Sequence, residues 1–549
     1  MSITPLMKIL TAAEMSAADR RSVEAGVPVH ALMHEAGAAV ARFCLRRFRG
    51  DGLVVVLCGK GNNGGDGMVA ATNLAGAGRS VRVALLGAVN DLKGEAASAL
   101  GVARSTQPDM DVREIADEVG LNAALEGAAL VVDAVVGTGF QPPLRGLAAI
   151  ARDLLAKSSV PVVAVDLPSG WDADATDQKS EGAFRADAVV TFTAPKLAHV
   201  FGHLTPGKSF GPVVVAPIGT PEAAIQSATN LHWAGAAKAS TEMPREINGN
   251  KGGFGHLLLV GGAFGKAGAP SMSSLAAMRA GAGLVTAAVP REILPIVAGV
   301  APELMLTPLA TEGSGGLSLD VLDDEPLTQL LKGITVVGIG PGLGQEGTTP
   351  EWVRTFVERV TLPMVIDADA LNALDTRLDV LTEATRKGGR TLVLTPHPGE
   401  MARLAGIPVK QVESDRVGLA RRFATEHGVT LVLKGWRTLV AHPDGRIAVN
   451  TTGNPGMAKG GSGDILTGIV AAMLAQYANS KQGELDAAHV AQAVEAAVFL
   501  HGLAGDFSTL AQDEHTVLAT DTVGHLWQAF RSRVTDEDGL IWIAGTAAQ

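Results

Sequence analysis

The chain has little of what several function classes require. It carries 2 cysteines in 549 residues, Cys44 and Cys58, which excludes a disulfide framework and a cysteine-based zinc site and points to a reducing compartment, the cytoplasm. A net charge of −11 argues against a nucleic-acid surface, where a basic stripe would be wanted. No apolar run reaches the ~18 residues that span a bilayer. The opening MSITPLMKIL is too short for a secretion signal and lacks its cleavage pattern, so neither a membrane nor export is expected. With a single tyrosine and an aromatic content of 4%, the chain instead has 66 glycines and 47% apolar residues. That is the composition of a loop-rich α/β enzyme. Its length exceeds what one hydrophobic core usually serves, so two domains are expected.

One grammar recurs: a short β-branched apolar run, a glycine-bearing turn, an alanine-rich helix. In the first half Leu53–Cys58, Val81–Leu86, Leu130–Val136, Val160–Asp166, Ala188–Phe192 and Val213–Ala216 read as strands. Leu257–Val260, Leu284–Val289, Ile334–Ile339, Met364–Ile366, Thr391–Leu394 and Leu431–Leu433 do so in the second. Near-continuous apolar strands alternating with helices imply parallel sheets covered on both faces, hence two doubly wound α/β domains. The pattern is weakest over residues 221–243, rich in alanine, threonine and serine between Pro221 and Pro244. We place a linker there, between domains at 1–220 and 244–535. Trp233 suggests that part of this linker packs against a domain.

The most informative segment is Asn450–Gly468, NTTGNPGMAKGGSGDILTG. A glycine-rich loop entering a helix points several backbone N–H groups at one anion, and the helix dipole favours negative charge there. Gly460, Gly461 and Gly463 thus read as a phosphate cradle. An acidic side chain repels phosphate, so Asp464 suggests a general base that takes a proton from a hydroxyl attacking phosphorus. The plainer alternative is a helix cap.

The first half has its own glycine signature, CGKGNNGGDG over Cys58–Gly67, placed after a strand and before a helix expected at Met68–Ala77. This is the nucleotide-binding arrangement of an open sheet, with asparagines and an aspartate beyond what pyrophosphate needs. Two further strand ends bring polar atoms to the same rim: Asp133 before Gly137–Phe140, and Asp166 in Asp166–Gly170. Such oxygen-rich ends could hold a hard cation.

These residues resemble the bifunctional NAD(P)H-hydrate repair enzymes, an N-terminal NAD(P)H-hydrate epimerase fused to a C-terminal ADP-dependent (S)-NAD(P)H-hydrate dehydratase. The resemblance covers nearly the whole chain. It rests on VEAGVPVHALMHEAG, NNGGDG, DAVVGTG, DLPSG and TAPK, then on KGGFG, RAGAGLVT, GIGPGLG, TPHPGEMARL, VLKGWRT and NPGMAKGGSGD. It implies a Rossmann-like three-layer first domain and a ribokinase-like second.

By this resemblance Asn62, Asn63, Gly64, Gly65 and Asp66 line the hydrated nucleotide's site beside Gly137, Thr138, Gly139 and Phe140. Asp166 contacts the substrate as a catalytic residue, and Lys196 adds a further contact. Asn63, Asp133 and Ser169 ligate potassium, consistent with one carboxylate among neutral oxygens. In the second domain the resemblance puts the substrate near Ala282, Gly342, His397 and Asp464. The adenine nucleotide lies along Lys434, Gly435, Trp436, Arg437 and Thr438 and at Gly463, accompanied by Mg²⁺. Glu400 reads as a helix-start carboxylate, and Asp367 and Asp369 as residues that orient their loop. Asn250 and Lys459 depart from the family pattern, which has histidine and a small residue there; Lys459 could add a phosphate contact or lie on the surface. His34 is read as a plain helix-surface residue.

The implied chemistry is repair of NADHX and NADPHX, with R and S hydrates interconverted and the S form dehydrated with ADP as co-substrate; a homo-oligomer is expected. The alternative is a ribokinase-like small-molecule (vitamin) kinase fused to a nucleotide-sensing domain. That reading leaves NNGGDG without a purpose.

Overall fold

In the strand Leu53–Cys58, Val54, Val56 and Cys58 join one apolar cluster while Val55 and Leu57 join another. Strand side chains alternate between faces, so both faces of this strand are covered, and the sheet is the middle of three layers. The computed structural model describes residues 4–206, 211–245, 247–313, 315–375, 377–478 and 486–546.

The chain forms two units: Met7–Leu231 together with the tail from Val534, and His232–Arg533 together with the stretch ending at Leu6. The first contains β1 Leu53–Cys58, β2 Val81–Leu86, β3 Asp111–Ile115, β4 Ala128–Ala134, β5 Val162–Val165, β6 Ala188–Phe192 and β7 Val213–Ala216. Their order is β7-β6-β5-β4-β1-β2-β3, all parallel, and Ile541–Ala544 returns from the chain's end to pair antiparallel with β7. The strand order reverses between β1 and β4, which is where an open α/β sheet offers a crevice to a ligand.

The second unit contains β8 Leu231–Trp233, which begins at its border, β9 His256–Val260, β10 Leu284–Pro290, β11 Met305–Leu309, β12 Val336–Ile339, β13 Met364–Ile366, β14 Leu392–Leu394, β15 Thr430–Leu433, β16 Leu439–Ala441 and β17 Ile447–Val449. Its sheet runs β11-β10-β9-β12-β13-β14-β15-β16-β17-β8, parallel from β11 to β15 and antiparallel through β16 and β17. Here the order reverses between β9 and β12.

Three expectations change. Residues 221–243 contain β8, a strand of the second sheet, and a 3-10 helix at Ala234–Glu242; Trp233 is buried, its Nε1 donating to Thr451 Oγ1 at 2.8 Å. The helix after the first glycine signature starts at Asn62 and not at Met68, so only Gly59–Gly61 form the turn and NNGGDG lies in the helix Asn62–Gly76. Its glycines answer close packing: a Cβ at Gly64 would sit 2.0 Å from Gly59 O, and one at Gly67 would sit 2.4 Å from Ala134 Cβ. Finally, the helix Ala487–Ala511 is long and apolar enough to cross a membrane by length and composition, and 83% of its most apolar window is buried inside the fold, as in a core helix. Both cysteines are free and buried, and burial pushes the Cys44 thiol up to about 12.

Candidate active sites

A cavity of about 980 Å³ opens at the β1/β4 reversal of the first unit. Asn62, Asn63 and Asp66 reach it from the start of the Asn62–Gly76 helix, Gly137–Phe140 from the turn after β4, Asp166 from the end of β5 and Lys196 from beyond β6. Gly64 and Gly65 are buried behind this rim. Sequence reasoning missed the opposite wall, where Met15, Asp19, Arg20 and Met33 come from the two N-terminal helices. Of these only Met33 lies in VEAGVPVHALMHEAG, where His34 alone was given a reading; Met15, Asp19 and Arg20 precede every motif used. His34, within it, is exposed beside Glu35 at 3.6 Å.

Asp166 is the hub. Its Oδ1 accepts from Lys196 Nζ and Thr191 Oγ1, both at 2.8 Å, and its Oδ2 accepts from Thr138 N at 3.0 Å and from the Thr138 hydroxyl. Its backbone is held at φ 66°, the left-handed region that a non-glycine residue enters only under constraint. His199 supplies that constraint, with Nε2 2.7 Å from Asp166 O and Nδ1 accepting from Lys196 N at 3.0 Å. Burial, with the Lys196 charge adding to it, presses His199 down to about 4, so it is neutral.

Burial alone would raise Asp166, but the Lys196 charge and the donors around it win, and its carboxyl is held below the usual carboxylate range. Asp66 goes the other way: burial, then the Asp166 and Asp19 charges, hold it well above that range despite Lys196. Two carboxyl groups on one rim are thus pushed in opposite directions, Asp166 down and Asp66 up. Lys196 is buried in the ion pair and is not a solvated lysine.

Behind this rim Ser169 N and Oγ donate to Asp133 at 2.8 and 2.6 Å, and Ser169 Oγ also lies 3.1 Å from Val136 O. The hydrogen bonds to Asp133 come from neutral groups, and burial pushes its carboxyl up to about 6. Asn63 packs against Gly137, the residue after Val136, and its Nδ2 is buried without a partner. Turning that amide over would present an oxygen at the same buried point. A buried carboxylate without a cation, a hydroxyl, a carbonyl and an amide oxygen form a donor set that fits a monovalent, oxygen-liking ion.

In the second unit Asp464 lies in the first turn of the helix Ser462–Ala478, entered through Gly461 at φ 94°. Burial raises its carboxyl to about 6, the Asp367 charge adding and Lys434 opposing. Lys434 Nζ donates to Asp367 Oδ1 at 2.9 Å and lies 3.8 Å from Glu400 Oε2, while Thr467 Oγ1 donates to Asp367 Oδ2 at 2.7 Å. A Cβ at Gly463 would sit 3.2 Å from Lys434 Nζ. Glycine there leaves the ammonium open to the cradle. Beyond Lys434, Gly435 (φ 138°) and Trp436 are exposed, Arg437 lies over the Trp436 ring at 4.3 Å, and Thr438 Oγ1 donates to Gly435 O at 3.2 Å.

His397 caps the helix Pro398–Ala405: its Nδ1 accepts from Gly399 N at 3.0 Å, its N donates to Glu400 Oε2 at 2.8 Å, and its Nε2 lies 3.3 Å from Glu400 Oε1. His397, Glu400, Lys434, Asp367 and Gly463 therefore form one contiguous group beside Asp464. Gly342 (φ 67°) joins from the end of β12, against Lys266 and Ala269. Nearby, Asp369 accepts from Gly344 N at 2.8 Å and lies 3.6 Å from Lys266 Nζ. Lys266 and Ala269 escaped sequence reasoning because the GKAGA segment that holds them carries no charge pair or histidine.

Ala282 is a correction. It precedes β10, whose start pairs with the start of β9, so it lies at the N-terminal edge of the parallel strands, opposite to Gly342. Gln476 Nε2, near the far end of the helix that Asp464 begins, donates to Ala280 O at 3.1 Å. Those 12 residues of helix span roughly 18 Å at 1.5 Å each. The structure therefore does not bring Ala282 together with Gly342, His397 and Asp464. Lys459 donates to His515 O and Val517 O, both at 2.6 Å, so it tethers the cradle to the 513–517 loop. Asn250 caps the 3-10 turn Lys251–Phe254, accepting from Gly253 N at 3.0 Å.

Paired carboxyl groups at one sheet reversal and a phosphate cradle with a poised aspartate at another define a two-site enzyme acting on nucleotides. Residues 29–198 match the YjeF-related protein N-terminus family, and residues 257–527 match the NAD(P)H-hydrate dehydratase family. The bifunctional NAD(P)H-hydrate repair enzyme Nnr of Moorella thermoacetica is 41% identical over 536 residues, covering 96% of this chain and 97% of that protein. Its Escherichia coli counterpart is 34% identical, covering 93% and 92%. Among solved structures, the ADP/ATP-dependent NAD(P)H-hydrate dehydratase of Bacillus subtilis, co-crystallised with ATP and Mg²⁺, is 29% identical and covers 54% of this chain and 96% of that one, with a TM-score of 0.43. The chain belongs to the family of bifunctional NAD(P)H-hydrate repair enzymes, and it is an enzyme with both activities.

Proposed function

We propose that the first unit interconverts R and S NADHX and NADPHX at the cavity around Asp166, and that the second dehydrates the S form with ADP at Asp464. The observation that carries this reading is the placement of the acids: Asp66 and the Lys196-paired Asp166 share one cavity at a sheet reversal, and Asp464 opens the helix that follows the glycine cradle. Burial and neighbouring charges push Asp66 up, hold Asp166 down and raise Asp464 to about 6.

Epimerisation must break and remake the bond between the hydroxyl and its ring carbon. Asp66 gives a proton to the departing hydroxyl, the ring nitrogen's lone pair expels it as water, and water returns to the opposite face. The proton released on that return restores Asp66, and the ionised Asp166 stabilises the positive ring between the two steps. Asn63, Asp133 and Ser169 would hold potassium, which would supply a positive charge that ties together the loops carrying these groups.

In the second unit Asp464 takes the proton of the substrate hydroxyl as that oxygen attacks the β-phosphorus of ADP, and AMP leaves. The ring nitrogen then expels phosphate, and the departing phosphate takes a proton from the adjacent ring carbon, which restores the reduced ring. Lys434 and the helix-start amides stabilise the migrating negative charge. Asp367 and Asp369 are already engaged with Lys434, Thr467, Gly344 and Lys266. Mg²⁺ would therefore ride chiefly on the nucleotide's phosphates, where it supplies charge neutralisation. The compartment is the cytoplasm and the enzyme a homo-oligomer.

Two outcomes test this unit. Each NADH restored from the S hydrate with ADP should be matched by one AMP and one phosphate, read by absorbance and chromatography. A stable phosphorylated product would favour the kinase reading, and turnover with ATP alone would overturn the choice of ADP. The second test is pH. Asp464 must be ionised to act as a base, so kcat/KM for dehydration should be full above about pH 6 and fall about tenfold per unit below it. A flat profile from pH 5 to 8 would return Asp464 to a capping role.

A further inference from the structure

A second constellation lies within His232–Arg533, away from every residue assigned above. His232 Nε2 lies 2.8 Å from Glu495 Oε1, and His442 Nε2 lies 2.9 Å from the same oxygen. The two imidazole rings are stacked, 6.5 Å apart and 20° from parallel. The three residues are 2%, 3% and 1% exposed, and their ligand atoms all lie within 4.8 Å of one another. Each sits on a rigid element: His232 on β8, His442 just after β16, and Glu495 on the helix Ala487–Ala511. The turn after β16 is fixed by His442 N to Arg446 O at 2.9 Å and Gly445 N to His442 O at 3.0 Å.

We propose that His232, His442 and Glu495 form a structural zinc-class metal site. Two imidazole nitrogens and one carboxylate oxygen are ligands that zinc accepts, at ~2.0–2.2 Å each, with a water completing the tetrahedron. Ligand atoms on such a tetrahedron stand about 3.3 Å apart. The observed 2.8 and 2.9 Å therefore call for a spread of only a few tenths of an ångström. On binding, each imidazole turns its Nε2 lone pair to the metal and keeps its single proton at Nδ1. Two donors competing for one carboxylate oxygen are thereby replaced by one cation that all three groups share. The near-complete burial makes the site structural and not catalytic.

The site joins the far strand β8 and the β16–β17 hairpin to a helix that also supports the phosphate cradle. Further along that helix Phe499 O accepts from Thr452 Oγ1 at 2.9 Å, and Asp506 accepts from Gly453 N and Asn454 Nδ2 at 3.1 and 3.0 Å. Metal at Glu495 would hold this helix in register with the cradle.

The test is elemental analysis of the full chain purified without chelator and after reconstitution with Zn²⁺, alongside Co²⁺ substitution. We expect about one metal per chain, a Co²⁺ absorption band of tetrahedral intensity, and a melting temperature that falls by roughly 5 °C on chelation and recovers with Zn²⁺. Glu495→Gln and His442→Asn, both close in volume, should each lose the metal and the Co²⁺ band while remaining folded by circular dichroism. Wild-type protein that takes up no stoichiometric Zn²⁺ or Co²⁺, with a melting temperature indifferent to chelator, would overturn the proposal and leave a hydrogen-bonded network. Retention of metal by both variants would overturn it equally.

Discussion

Asp464→Asn should lower dehydration of the S hydrate by ~10²–10⁴-fold, the usual cost of losing a general base, while ADP binding stays largely unchanged. The amide is isosteric, and the cradle's glycines and Lys434 do not depend on it. Stability provides the control. The Asp464 carboxyl is raised to about 6 by burial and by the Asp367 charge, so the fold disfavours its ionised form, and a neutral amide should melt no lower than wild type. Stopped-flow turnover, ADP titration calorimetry and thermal melting, measured together, separate catalysis from folding. Near-normal turnover by the variant would make Asp464 a helix cap and nothing more.

Asp133→Ala should abolish conversion of the R hydrate while leaving repair of the pure S hydrate intact. Asp133 is the charged member of the set with Asn63 and Ser169, and its loss removes the anchor for a cation there. Supplying the separated epimers and following NADH recovery from each reads the two sites independently. Loss on R alone supports two separate active sites. Loss on both would mean that the two units stand or fall together, and unchanged R conversion would sink the cation assignment.

Much of the architecture was legible because burial on both faces writes itself as uninterrupted apolar runs. β1, β2, β6 and β7 have the bounds read from sequence. Most missed strands lack such runs: β3 is DVREI at a sheet edge, β11 is MLTPL at the other sheet's edge, and β8, β16 and β17 are three-residue strands, while β18 (Ile541–Ala544), IWIA, has such a run but lies past 535, outside both expected domains. The site residues were legible where charge and glycine coincide, as at Asp166 and Asp464. Ala282 lies apart from the others because a motif names a segment, while strand register decides which edge of the sheet that segment reaches. The His232–Glu495 pairing spans 263 residues, and no local pattern announces a contact of that separation.

The returning strand, β18 Ile541–Ala544, carries a consequence for how the protein is made and how it can be cut. It pairs antiparallel with β7, Val213–Ala216, whose side chains are all apolar. During synthesis the first unit's sheet stays unfinished until Ile541–Ala544 has left the ribosome, long after β7 has emerged. A truncated gene that stops at Leu231 would release a product with the outer edge of β7 bare, a row of open amides and carbonyls along four buried-type residues that invites self-association. Grafting Val534–Ala544 onto that product, by a short tether after Leu231, is the natural way to obtain the epimerase alone.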